Sequence, residues 1–137
     1  MNRISRDDIG LLVFRLGVAG LMLGFHGWTR FHKAIGFVFY HQPWTFVNFV
    51  GSLGFPFPAG FAVLSAVAES VGVLMIAAGL YTRWAAAVVT INMTVALLNE
   101  FSKGDPIELP GLYWLGALTI LLLGPGRLSV DDWRRRT

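Results

Sequence analysis

The chain has 137 residues, 55% hydrophobic and 14% charged, with a net charge of +3 and no cysteine. A soluble domain carries about a quarter charged residues, so with a mean hydropathy of +0.60 the composition is that of a membrane protein. Without cysteine there are no disulfides, thiol relays, persulfide carriage on the chain's own sulfur or thiolate metal sites. The modest positive charge gathers at the ends of apolar runs, which is a topology signal and not a nucleic-acid footprint.

The N-terminal run does not read as a cleaved signal. Asp7 and Asp8 adjoin it, Arg15 interrupts it, and no small-x-small site follows Phe25. A retained first span over 9–27 is therefore expected. Three more apolar segments follow, and with interfacial aromatics they give spans over 57–80, 84–101 and 109–124. No linker or low-complexity tract divides them. The expected architecture is all-α: one domain over 1–137, an integral membrane four-helix bundle. A buried bundle in water is excluded, because too few polar residues remain to cover it.

The connection 26–56 is long and rich in aromatics, including Phe31, Phe37, Phe39, Trp44, Phe46 and Phe49. Pro43 can open a helix, so 44–53 is expected to lie in the membrane surface or to lid the bundle. The short Tyr81-Thr82-Arg83 turn makes spans two and three a tight hairpin. With four spans, Arg3, Arg6, Arg83, Arg127, Arg134, Arg135 and Arg136 share one side, against Arg30, Lys33 and Lys103 on the other. The positive-inside rule then puts both termini in the cytoplasm.

Two charges sit at bilayer depth. A lone charge there costs about 3 kcal/mol on insertion scales, so it needs a partner or a use. Arg15 lies in the first span and Glu69 in the second. Helical periodicity puts Arg15, Ala19, Met22 and His26 on one stripe, and Glu69 among the small residues Ser65, Ala66 and Gly72. Asn92 and Asn99 share a face of the third span, with Glu100 beside Asn99, and Tyr113 faces inward from the fourth. Arg15 and Asn92 fall roughly 12 Å from the cytoplasmic boundary and Glu69 roughly 16–18 Å. The expectation is an inner layer of Arg15, Glu69 and Asn92, with Arg15 and Glu69 paired. An outer layer of His26, Asn99, Glu100 and Tyr113 lies under the external connection. Together they form a polar pocket with a charged floor, suited to the head of a quinone, another small redox molecule or a lipid. A plain ion pair that bolts two helices together explains the inner layer equally well. The three histidines match no ligand spacing, and no metal is expected.

These residues, in order, resemble the DoxX/DoxD family of small four-span membrane proteins. The resemblance rests on Arg15-Leu16-Gly17, on His26-Gly27 with the basic Arg30, and on Gly54-Phe55-Pro56. It rests further on Glu69-Ser70-Val71-Gly72, on Gly79-Leu80-Tyr81-Thr82-Arg83, and on the tail Gly124-Pro125-Gly126-Arg127-Leu128-Ser129-Val130-Asp131. Arg30 departs from the lysine usual in the family but keeps its charge. The resemblance implies a bacterial inner-membrane protein linked to redox chemistry, since members include a subunit of a thiosulfate:quinone oxidoreductase and a component of a membrane complex of oxidative and thiol stress. Sulfur chemistry in this cysteine-free chain would need a partner or a bound cofactor.

The leading expectation is a component, catalytic or not, of a quinone-linked oxidoreductase or redox-stress system. In it Glu69, Arg15 and His26 are the candidate catalytic groups. Arg30, Asn92, Asn99, Glu100 and Tyr113 are the candidate binding groups. Quinone is the leading cofactor, and the expected partners are membrane lipid and redox proteins, with no nucleic acid and a homo-oligomer left open. The alternatives are a non-catalytic scaffold subunit and a small-molecule or lipid carrier.

Overall fold

The computed structural model describes residues 4–137; Arg3, counted above with the basic terminal side, lies outside them. Every regular element among the described residues is helical. The first helix, α1, runs over Arg6–Tyr40. It opens on a capping box: the Ser5 hydroxyl accepts from the Asp8 amide at 3.1 Å, and the Asp8 carboxylate accepts from the Ser5 amide at 2.8 Å. It is interrupted but not broken by a π-helical turn at Leu23–Gly27. It stops at His41, which takes a left-handed conformation (φ 53°) two residues before Pro43.

The short helix α2 covers Thr45–Ser52. Next, α3 runs over Pro58–Ala78 with a second π-helical stretch at Ala68–Gly72. Pro58 opens it, where its missing N–H costs nothing. Gly79 closes it at φ 72°, and the Leu80 amide donates back to the Met75 carbonyl at 2.9 Å. Thr82–Lys103 forms α4, Glu108–Leu123 forms α5, and Val130–Arg136 forms α6. Helices α4 and α5 pair along their lengths, α1 packs on the second half of α3, and α2 packs on its first half.

The architecture is the expected membrane helical bundle. Helices α1, α3 and α4 are long and apolar enough to span, and α5 is a shorter apolar helix of 16 residues. Large apolar side chains cover the exterior, including Phe25, Phe39, Trp84, Ile91 and Leu122. That surface suits hydrocarbon and would aggregate in water. One expectation is corrected. The stretch 26–56 is not mainly a loop, because α1 continues through Trp28–Tyr40. No proline interrupts that stretch, and its apolar residues recur at helical spacing, with Ala34 and Gly36 buried. At 1.5 Å per residue α1 is about 50 Å long, so it outreaches a hydrocarbon core of about 30 Å.

Buried apolar side chains form two clusters. The larger holds Ala19, Met22, Val73, Ile76, Val89, Ala117 and Ile120 among others, at the end with the termini. The smaller holds Ala34, Trp44, Val50, Ala62 and Ala66. Glu69 lies in sequence between Ala66 and Val73, so the polar layer separates the two clusters.

Candidate functional site

Both π-helical turns fall at this layer, one on each of two neighbouring helices. A π turn adds a residue to the helical circuit and re-aims the side chains that follow. The backbones meet there: a Cβ on Gly27 would sit 1.9 Å from the Glu69 carbonyl oxygen. Only glycine permits that approach, and it brings the inner face of α1 against the second π turn.

Glu69 is 1% exposed. Its Oε1 forms an ion pair with Nη1 of Arg30, accepts from Nδ2 of Asn92 at 2.8 Å, and takes a longer bond of 3.4 Å from the Ser65 hydroxyl. None of these three donors reaches Oε2. Arg30 is itself one-third exposed and lies over the Phe46 ring, 4.5 Å from its centre. Charge pairing and hydrogen bonding together satisfy the buried carboxylate.

The expected ion pair between Arg15 and Glu69 is not formed. Arg15 is 1% exposed, and its Nη2 donates to the Leu128 carbonyl in the C-terminal segment. Its Nη1 lies against Gly79. Gly79 follows Glu69 by roughly 15 Å along α3, so the guanidinium points toward the terminal end and not toward mid-bilayer. A long arginine stem can snorkel either way, and the Leu128 carbonyl of the tail takes it. The tail is held again at Asp131. Its Oδ1 accepts from the Tyr81 amide at 2.8 Å, and its Oδ2 accepts from the Thr82 amide and hydroxyl, each at 2.9 Å. Burial raises the Asp131 carboxyl, but these donors and Arg135 outweigh it and hold the group below its ordinary value.

The other candidates lie around Glu69. His26 sits within the first π turn and meets the Tyr113 ring edge-on, centres 5.7 Å apart. His26 Nδ1 is buried with no hydrogen-bond partner. Tyr113 and Asn99 are buried, and Asn99 Nδ2 donates to Glu100 Oε1 at 3.2 Å. The sequence reading missed Gly27 as a contact surface, although His26-Gly27 carried part of the resemblance. It missed Ser65 as a donor too, although Ser65 precedes Glu69 by one helical turn.

Two cavities meet at the ion pair. The first, of 340 Å³, is a mainly apolar groove walled by Phe46, Phe49, Phe55 and Phe61 and ending on Arg30, Ser65, Glu69 and Asn92. The second, of 270 Å³, is more polar and is lined by His26, Tyr113 and Glu100 together with Arg30 and Glu69. Asn99 faces the first, and Glu100 borders both. Arg15 lines neither. Among the described residues, no group of three histidines or carboxylates is arranged to hold a metal.

No curated protein and no solved structure matches the chain. The DoxX family model matches residues 10–102. That span holds Arg15, both π turns, Arg30, Glu69 and Asn92, and it stops short of the tail that docks on Arg15. Matched over most of its length, the chain belongs to the DoxX family of membrane proteins.

Proposed function

We propose that this chain binds a small amphiphile of the quinone class, tail in the groove and head at Arg30, Glu69 and Asn92. It would do so as the membrane component of a quinone-linked oxidoreductase or redox-stress system of the bacterial inner membrane, with both termini on the cytoplasmic side. The observation that carries this reading is the 340 Å³ aromatic groove that ends on the buried Glu69 carboxylate and the part-exposed Arg30 guanidinium and Asn92 amide. Ligand sites are typically apolar concavities with a few convergent polar groups.

The residues fit such a head. The Arg30 guanidinium and the Asn92 amide can donate to its oxygens, and Glu69 Oε2 is the acceptor that the internal bonds leave over. When bound, a quinone supplies reversible uptake of two electrons and two protons. The chain's own part is positioning and proton handling. Phe46, Phe49, Phe55 and Phe61 keep water from the groove. The second cavity reaches the same carboxylate from the other side, and there His26 Nδ1 can hold a proton on its way to Glu69. A chain with no cysteine carries no thiol couple of its own, so this reading takes the electrons from a partner redox protein or a second bound cofactor.

The test is gentle purification, solvent extraction, mass spectrometry and an absorption spectrum, followed by titration with a short-chain quinone. The expected result is a stoichiometric quinone whose retention falls tenfold or more in Glu69→Gln and Asn92→Leu while the helical spectrum persists. A co-purifying lipid in place of a quinone would indicate a carrier. Repeated recovery of no ligand, together with no saturable quinone binding, sinks the reading. A scaffold would then remain, with assembly and not ligand retention lost in Glu69→Gln.

A further inference from the structure

The end of the bundle that holds both termini carries a cavity of a different chemistry. It has a volume of 410 Å³ and lies where the α3–α4 connection meets α6. Arg83, in the first turn of α4, and Arg134 and Arg135 of α6 line it, beside Tyr81 and Trp84. Asp131 is the carboxylate in its wall, and both its oxygens are already engaged by the Tyr81 and Thr82 donors. Arg134 is further positioned over the Tyr81 ring, 5.3 Å from its centre. Two neighbouring arginines belong elsewhere: Arg127 reaches Asp8, and Arg136 pairs with Asp132.

Three guanidinium groups around one concavity make a phosphate-binding surface, because their planar forks match phosphate oxygens. The surroundings say what the phosphate is attached to. Trp84 is 77% exposed at the start of α4, and Val88 and Ile91 are 42% and 67% exposed after it. Positions 84, 88 and 91 fall at i, i+4 and i+7, so these side chains form one outward apolar stripe leading from the cavity along the span. We propose that the cavity binds the phosphate of an anionic phospholipid head group, with the acyl chains lying along Trp84, Val88 and Ile91. Free phosphate shares the head-group chemistry but has no use for the stripe.

The test uses the whole chain in mild detergent. Its thermal unfolding is followed with added phosphatidylglycerol, phosphatidylcholine or inorganic phosphate, and lipid adducts are counted by native mass spectrometry. Phosphatidylglycerol should raise the unfolding midpoint and leave a retained adduct, and phosphatidylcholine should do neither. Arg134→Gln with Arg135→Gln should reduce that preference on the order of thirtyfold, about fivefold per basic residue. Both side chains are exposed but interact with Tyr81 and Asp131, so each lipid shift is read against the variant's own lipid-free midpoint. Arg83→Gln, with adducts as the readout, gives a second arm on another helix. Lys33→Gln with Lys103→Gln, outside the cavity, should leave the preference intact. The proposal is overturned by equal stabilisation from the two lipids, by undiminished preference in both arginine variants, or by an equal loss in the lysine variant. It is also overturned if inorganic phosphate alone reproduces the shift.

Discussion

A Cβ added to Gly27 would come within 1.9 Å of the backbone carbonyl oxygen of Glu69. The two π turns therefore fit against each other with no room for a methyl group. Because the obstructing atom is backbone, the clash cannot be relieved by a rotamer change. Gly27→Ala should cost about 1–3 kcal/mol, the range of overpacking, and should push Glu69 away from Arg30 and Asn92. Gly17 of the same helix has nothing within 4 Å of an added Cβ. Gly17→Ala should be neutral or should stabilise by up to about 1 kcal/mol through helix propensity. Thermal unfolding of both variants in one detergent checks the contrast, and equal effects would remove the steric argument.

Glu69→Gln leaves the Arg30 guanidinium without its counter-charge. Breaking a fully buried pair costs about 3–5 kcal/mol, but Arg30 is one-third exposed, so solvent screening should reduce the loss to about 1–3 kcal/mol. Arg30→Gln should cost more, because it strands the fully buried partner. Denaturation midpoints of the two single variants test this order, and the reverse order would mean that the carboxylate has another partner.

Arg15 makes a different prediction. Arg15→Met removes the bond to the Leu128 carbonyl, and with it the desolvation of a guanidinium that has two buried nitrogens without partners. These effects oppose each other, so global stability should change by less than about 2 kcal/mol. The tail, however, loses an anchor. Hydrogen exchange should rise across residues 126–132 while ligand retention in the groove stays as in the parent chain. A loss of ligand retention with an undisturbed tail would restore Arg15 to the site.

The second anchor of the tail is pH-dependent. The Asp131 carboxyl is held below its ordinary value in the folded chain. Its stabilising contribution is therefore complete above the unfolded pKa of about 3.9, and it is lost as pH falls through the lower folded value. Proteolytic release of the tail should be flat from pH 5 to 8 and should increase only below about pH 4. Asp131→Asn should release the tail at neutral pH and abolish the acid step. A release step near pH 6 would point to a histidine instead.

Much of this arrangement was legible in the sequence. Glu69 stood out as a charge among small apolar residues, and helical spacing turned Asn92 toward it. Its partner was hidden. Arg30 was placed on the side opposite the termini, beyond the first span, because the aromatic stretch after His26 read as a connection, whereas it continues α1. A π turn lies between Arg15 and Arg30, and arithmetic at 100° and 1.5 Å per residue cannot carry direction through such a turn. The placement of Arg15 failed for another reason. A side chain that long reaches either of two depths, and the deciding acceptor, the Leu128 carbonyl, is a backbone group that no pattern of side chains announces. The strings 79–83 and 124–131 both supported the family resemblance, but nothing in their spacing indicated that they meet.

The separation of the two apolar clusters has a mechanical consequence. The end with the termini is fastened by its large cluster and by the Arg15 and Asp131 ties to the tail. At the opposite end, Val50 of α2 and Trp44 just before it cluster with Ala34 of α1 and with Ala62 and Ala66 of α3. The two clusters share no buried residue, so the two ends of the protein are packed separately. Any change confined to α2 would fall on the small cluster and on none of the large one, so the aromatic wall of the groove is packed independently of the end with the termini.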